Sequence, residues 1–238
     1  MLSEWLRQQA EELEIVLEPT ALVQLNRYRS LLQEWNQSLN LTSITDVAEI
    51  YELHFLDSLS ACSAVDMSEV CSLIDVGSGA GFPGLVLAIV FPSIKVTLLE
   101  SIKKKARFLQ AVVDDLALSE RVQVVCERAE VLGQQHIYRE QYDVVVARAV
   151  ARLAVLAEYC LPLVRLGGCF VAQKGPQVEE EVGEAAHCIA VLGGGEVRTW
   201  SWSLPSGASR TLVRVNKQKR TPMVYPRRAG VPAKRPLL

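Results

Sequence analysis

The stretch Ile74-Asp75-Val76-Gly77-Ser78-Gly79-Ala80-Gly81-Phe82-Pro83 holds the residues whose types and spacing are best suited to chemistry. A short apolar run, Leu73 to Val76, breaks into three glycines spaced by one, with an aspartate ahead of the first. Leu85 to Val90 then resumes as an apolar, helix-compatible segment. Strand, glycine turn and helix together bring backbone close to a nucleotide-like ligand, and glycine is needed because a Cβ would block left-handed φ angles and the ligand's approach. The N-terminus of the following helix offers free N–H groups and partial positive charge to an anionic ligand group. Pro83 suits the first turn of that helix, where a missing N–H costs little. A dinucleotide site wants G-x-G-x-x-G, which from Gly77 and Gly79 requires glycine at position 82, where Phe82 stands. A near match to the dinucleotide pattern survives through Gly81-x-x-Gly84.

The D-x-G-x-G-x-G spacing instead resembles the first motif of class I S-adenosylmethionine-dependent methyltransferases. Glu100 closes the second expected strand, where a carboxylate can accept hydrogen bonds from ribose hydroxyls; either cofactor carries a ribose, so Glu100 does not choose between them. Arg128-Ala129-Glu130 follows the third strand, at the position where methyltransferases contact adenine. At the end of the fourth strand, amino-group methyltransferases usually carry Asn/Asp-Pro-Pro-Tyr/Phe, whereas this chain has Ala147-Arg148-Ala149-Val150. No Pro-Cys dipeptide occurs, so a covalent thiol route to C5 of a pyrimidine has no evident nucleophile. Arg148 follows Val144-Val145-Val146 and is aimed at the cofactor crevice; the alternative is an arginine snorkelling off a strand end. Guanine N7 has a lone pair and no proton to remove, so positioning and electrostatics suffice for its methylation. An arginine also suits guanine O6/N7 or a phosphate.

These residues need a frame. Residues 1 to about 60 read as helical, with Pro19 restarting a helix that carries Leu22, Leu25, Leu31, Leu32, Trp35 and Leu39, and with Asp46 as N-cap of a segment from Val47 to Cys62. From Val70 strands and helices alternate, which argues for a parallel sheet. Strands are expected at Ser72 to Val76, Lys95 to Leu99, Val122 to Cys126, Tyr142 to Ala147 and Gly168 to Ala172. A Glu-rich helix follows from Gln177 to Val191, broken by Gly193-Gly194-Gly195, and two last strands face each other across Pro205-Ser206-Gly207. The expectation is an α/β, Rossmann-like, seven-stranded and mostly parallel sheet with an antiparallel last strand, plus an N-terminal helical cap. Its divisions are a cap over 1–62, a catalytic domain over 63–216 and a basic, proline-containing tail over 217–238.

Half the residues are hydrophobic and no apolar run approaches a bilayer's thickness, which points away from a membrane protein, and the start of the chain lacks a signal-peptide pattern. The six cysteines show no C-x-x-C pair and no histidine at metal spacing. They read as buried thiols of a reducing cytoplasm rather than a metal centre or a disulfide framework. The net charge of −2 hides an asymmetry: residues 217–238 carry seven basic residues and no acidic one, leaving 18 basic against 27 acidic in the body. Such a tail is either a flexible, solubilising extension or a phosphate-seeking arm for RNA.

Four separate stretches in register are similar to the ribosomal RNA small subunit methyltransferase G family, also called glucose-inhibited division protein B. They are Trp35 to Thr42, His54 to Leu59, Asp75 to Gly84, and Ala147-Arg148-Ala149. The resemblance implies N7 methylation of one guanosine in the decoding region of 16S rRNA, with S-adenosyl-L-methionine as cofactor. It implies that Gly77, Phe82, Ala129, Glu130 and Arg148 line the cofactor pocket beside Gly79, with Glu100 at the ribose. Arg148 is then the catalytic residue by positioning and electrostatics, with no general base. The RNA-facing candidates are Asn40, His54 and Lys174, with Asp57 and Ser58 near His54; a polar cluster docking the helices onto the sheet is the alternative. The partner is 16S rRNA, the small ribosomal subunit or an assembly intermediate, in the cytoplasm, with the enzyme a monomer and without a metal. Two rivals are an NAD-dependent oxidoreductase and a non-catalytic RNA-binding protein on the same fold.

Overall fold

β1 (Ser72–Val76) is apolar at Leu73, Ile74 and Val76 because it lies inside a sheet covered on both faces. In this computed structural model, which describes residues 1–148, 150–176 and 178–237, β1 sits between β2 (Lys95–Leu99) and β4 (Tyr142–Arg148), with β3 (Val122–Val125) outside β2. Beyond β4 come β5 (Val164–Lys174), β7 (Ser209–Lys217) and β6 (Gly194–Ser203), so the order is β3-β2-β1-β4-β5-β7-β6. Every pairing is parallel except the two made by β7. Strand order reverses between β1 and β4, and a crevice opens beyond their carboxyl ends, where open α/β sheets bind ligands.

β5 begins four residues earlier than Gly168. Tyr142 pairs with Val164, and pairing resumes at Val144 with Cys169 after a register shift that Gly167, at φ +80°, accommodates. Only the first glycine of Gly193-Gly194-Gly195 ends the preceding helix, which spans Glu179–Val191; the other two already belong to β6. Gln177, expected to start that helix, and Ala149 of the strand-four motif lie outside the described residues.

α1 (Leu2–Glu12), α2 (Pro19–Leu39) and a helical run over 47–64 pack on one face of the sheet, with Leu6, Leu25, Tyr28, Phe55 and Phe108 in a shared core. Pro19 opens α2, Asn40 closes it in the left-handed region at φ 49°, and Asp46 caps the next run by accepting from the Ala48 and Glu49 amides. That run is not uniform. Ile50–Leu56 is wound as a π-helix, and the wider turn carries His54 inward just before Asp57. The opposite face is covered by helices Ala129–Leu132, Leu153–Cys160 and Glu179–Val191. Among the described residues no helix is long and apolar enough to cross a membrane.

The tail corrects the expectation of a flexible extension. Lys217 ends β7 as one of the largest fully buried side chains, with its ammonium on the Leu161 carbonyl and the Thr221 hydroxyl. Arg139 donates to the Thr221, Pro222 and Tyr225 carbonyls, and Gln134 to the Met223 and Pro226 carbonyls, so these side chains satisfy backbone acceptors in the irregular stretch that precedes a short helix, Val231–Lys234. Arg227 grips buried Glu158 through both guanidinium and backbone N–H groups. A basic tail on an acidic body thus finds a carboxylate on this same chain. The cysteines also depart in part: Cys160, Cys169 and Cys188 are buried, but Cys71 and Cys126, at strand ends on the rim of the sheet, are exposed.

Candidate functional site

Gly77, Gly79 and Gly81 adopt φ +76°, +59° and +103°, all left-handed. The Gly77 and Ser78 amides donate to the Leu99 carbonyl at 2.8 and 3.0 Å, tying the turn to the end of β2, and the Tyr28 hydroxyl of α2 donates to the Ala80 carbonyl. A Cβ on Gly79 would meet nothing nearer than 3.8 Å. Packing therefore does not demand glycine there; the backbone conformation and the open space beside it do, as expected of a turn that something must approach.

Asp75 is fully buried, with Oδ2 accepting from the Gly84 amide at 2.9 Å and Oδ1 without a partner among the described residues. Burial pushes its carboxyl up to about 7, against the pull of that amide. His54 moves the other way: burial and the Arg148 guanidinium lower its imidazole to about 3, so it is neutral at any ordinary pH. The two have opposite signs in the stability profile. A raised native Asp favours folding below pH 3.8 and loses that contribution as pH rises toward 7. A depressed native His contributes above 6.5 and loses it as pH falls toward 3. Asp75→Asn is therefore expected to steepen the gain in stability with rising pH between about 4 and 6.5, by up to about 1.4 kcal/mol per pH unit; parallel denaturant titrations of the two proteins at pH 4.5, 5.5 and 6.5 check this.

Arg148, at the end of β4, is no snorkelling cation. Its Nη1 donates to the Leu53 carbonyl and to Asp57 Oδ2, both at 3.1 Å, and Nη2 lies 3.2 Å from His54 Nδ1. Its guanidinium carbon is 4.9 Å from the Phe82 ring centre, and His54 stacks on the same ring at 4.2 Å. Asp57 also accepts from Arg210 at 3.2 Å, so one buried carboxylate holds two cations. Ser58 turns away to the His54 carbonyl, a bond internal to the helical run.

Two cavities meet at Gly77. The larger, about 440 Å3, is lined by Thr42, His54, Gly79, Phe82, Glu100 and Arg148, with Lys105 at its edge. The smaller, about 230 Å3, is lined by Leu99, Ala129, Glu130, Tyr159 and Ala233. Gly77, Ser101 and Val150 border both, and the Val150 Cγ2 lies 2.7 Å from where a Gly77 Cβ would stand. The expected residues thus divide: Gly77, Gly79, Phe82, Glu100, His54 and Arg148 at the larger cavity, Ala129 and Glu130 at the smaller. Glu100 is already engaged, accepting from the Gly79 amide at 2.9 Å and the Ile102 amide at 2.7 Å, with its remaining lone pairs open to a ligand. Glu130 accepts from the Gly230 amide of the tail.

Asn40 stands outside both cavities, in a neighbouring groove of about 480 Å3 that it lines with Asn36, Gln37 and Ser43 and that reaches the crevice through Thr42. Lys174 is not among the residues lining either cavity; its ammonium is held by Glu181 at 2.7 Å and the Ala151 carbonyl at 3.0 Å. Thr42, Val150, Arg210 and the tail's Ala233 were not singled out from sequence. Thr42 stood inside a recognisable stretch, but nothing in the spacing of Arg210 or Ala233 marks them.

The profile of the rRNA small subunit methyltransferase G family matches residues 21–206. This chain belongs to that family. A relative named ribosomal RNA small subunit methyltransferase G from Staphylococcus aureus strain Newman is 46% identical over 239 residues, covering 100% of this chain and 99% of that protein. The relative of the same name from Alkaliphilus metalliredigens is also 46% identical, over 98% of this chain and 97% of its own length. Solved structures share the fold. An O-methyltransferase from Bacillus cereus in complex with SAH has a TM-score of 0.60 at 17% identity, covering 91% of this chain and 100% of that one. A SAM-dependent O-methyltransferase from Thermotoga maritima has a TM-score of 0.54 at 18% identity, with 80% and 73% covered. The sheet is that of a class I methyltransferase, and membership of the family makes S-adenosylmethionine the cofactor. The left-handed glycines, the open space at Gly79, the two cavities joined at Gly77 and the carboxylate of Glu100 suit a ligand with a nucleoside part and an amino-acid part.

Proposed function

We propose that this protein methylates N7 of a guanosine in the decoding region of 16S rRNA. The observation that carries the reading is the pairing of Arg148 with a His54 that has no ring lone pair left to take a proton. His54 accepts at Nδ1 from Arg148 and meets Thr42 at Nε2, and both Glu100 oxygens hold backbone amides. An exocyclic amine or a ribose hydroxyl must lose a proton on methylation, whereas N7 has none to lose.

When bound, S-adenosylmethionine would supply an electrophilic methyl group to a base lone pair, its sulfur keeping the electron pair of the carbon–sulfur bond. Gly77, Gly79 and Glu100 hold the amino-acid and ribose parts in this reading, and Ala129, Glu130 and Tyr159 form the compartment for the adenine. Phe82, stacked under His54, excludes water from the reacting face. Arg148 keeps an Nε–H and a second Nη2–H unused among the described residues, and these can orient the acceptor-rich O6/N7 edge of guanine. A neutral His54 adds no charge beside a base that becomes cationic on methylation. Asp57 carries one negative charge against its two arginines, so the cluster keeps a net positive charge that favours RNA phosphate.

The substrate is the small ribosomal subunit or an assembly intermediate rather than naked rRNA, given the acidic body, and the protein acts as a monomer. Labelled S-adenosylmethionine offered with mature subunits, precursor particles and naked 16S rRNA, followed by mapping of the modified base, tests both levels. Label on an exocyclic amine or ribose would sink the N7 mechanism; equal labelling of naked rRNA would sink the particle preference. His54→Ala is expected to lower methyl transfer at least about tenfold while cofactor affinity stays within a factor of about three. Loss of stability without a change in rate per folded molecule would leave His54 only a docking role.

A further inference from the structure

Thr42 has a hydroxyl whose hydrogen-bonding capacity is almost spoken for. Arg148 Nη2 lies 3.2 Å from His54 Nδ1. A guanidinium can only donate, so Nδ1 is the bare nitrogen and Nε2 carries the hydrogen. Nε2 then donates to Thr42 Oγ1, 2.9 Å away, and the Ile44 amide donates to the same oxygen at 3.1 Å. Both lone pairs of that oxygen are filled. The one remaining capacity is the hydroxyl hydrogen, and among the described residues nothing accepts it. Thr42 borders the larger cavity together with Phe82 and Arg148, at its junction with the amide-lined groove. The loop that carries it is fixed in turn by Asn36, whose side chain bonds the Leu41 and Thr42 amides and the Thr42 carbonyl.

A hydroxyl that can only donate discriminates between purines. The guanine major-groove edge presents two acceptors, N7 and O6; adenine presents an acceptor at N7 and a donor at N6. We propose that the Thr42 hydroxyl is a fixed donor to O6 of the acceptor guanine and selects guanine over adenine, which rests on the N7 reading above. Arg148 acts through His54 to set this polarity, and Thr42 itself touches the base. A threonine free to rotate would accept from adenine N6 as readily as it donates to guanine O6; the filled lone pairs remove that choice.

The test crosses enzyme with substrate. Small subunits reconstituted with guanosine or with 2-aminopurine riboside, which lacks O6, at the target position are offered to the wild-type protein, Thr42→Val and Thr42→Ser. For the wild type, 2-aminopurine is expected to be methylated about 10- to 100-fold more slowly than guanosine. Thr42→Val is expected to lose a similar factor on guanosine and to show no further penalty on 2-aminopurine, while Thr42→Ser stays within about threefold of wild type on guanosine. Cofactor affinity and melting temperature are measured alongside. Penalties that multiply, an unchanged guanosine rate in Thr42→Val, or a loss explained wholly by weaker cofactor binding would each overturn the assignment. Methylation by the wild type at no guanine N7 would remove the N7 reading, and this proposal with it.

Discussion

Arg148→Ala is expected to reduce kcat/KM for methyl transfer at least about 1000-fold, with a stability loss of about 1 to 3 kcal/mol. The two effects have different origins. Removing the guanidinium takes a side-chain donor from the Leu53 carbonyl and leaves His54 Nδ1 without its donor, so the imidazole is free to change tautomer. Asp57 is not orphaned, because Arg210 still lies 3.2 Å from Oδ2, and this keeps the stability loss below that of a stranded buried charge. Arg148→Lys keeps the charge but cannot reach the Leu53 carbonyl, Asp57 and His54 from one ammonium, so it is expected to recover less than about a tenth of the lost rate. Single-turnover rates, cofactor titration and urea unfolding on the same preparations separate the contributions. Residual activity above a tenth of wild type in Arg148→Ala would remove this residue from the mechanism.

Truncation before Arg220 is expected to cost at least about 3 kcal/mol of stability, enough to leave much of the chain unfolded at growth temperature. Glu158 is 1% exposed and would lose the Arg227 pair that makes its burial tolerable. Arg139, only 9% exposed, would lose three carbonyl acceptors, and Lys217 would lose Thr221. Arg227→Ala isolates one part of this and is expected to cost about 2 to 4 kcal/mol, read from urea midpoints at constant slope. A truncated chain with unchanged stability and a reduced salt dependence of RNA binding would restore the view of the tail as an RNA arm.

What could be read from the sequence follows from how local the causes are. The glycine turn is legible because a left-handed backbone leaves a residue-type signature at the positions concerned, and β1 and β2 are legible because apolar runs between turn residues have few alternatives. Arg148 is legible as an anomaly, a strong cation where a buried strand ends. Its partners are not, since the Leu53 carbonyl and Asp57 lie more than 90 positions away in the chain. The tail misled for a related reason. Its charge and prolines describe the segment alone, whereas its order comes from Glu158, Glu130, Arg139 and Gln134, each contributed by the far face of the sheet. Lys174 likewise looks like a free cation until Glu181, one helix later, is brought beside it. Local rules see the residue; only tertiary structure supplies the counter-charge.

Ala233 helps wall the smaller cavity, and the Gly230 amide fastens that wall to Glu130. A nascent chain folds from its N-terminus as it emerges, so the glycine turn and most of the sheet can be in place while this wall is still unmade. The compartment acquires its last side only once residue 233 has left the ribosome. In each newly made molecule, then, closure of this cavity trails behind the folding of the sheet.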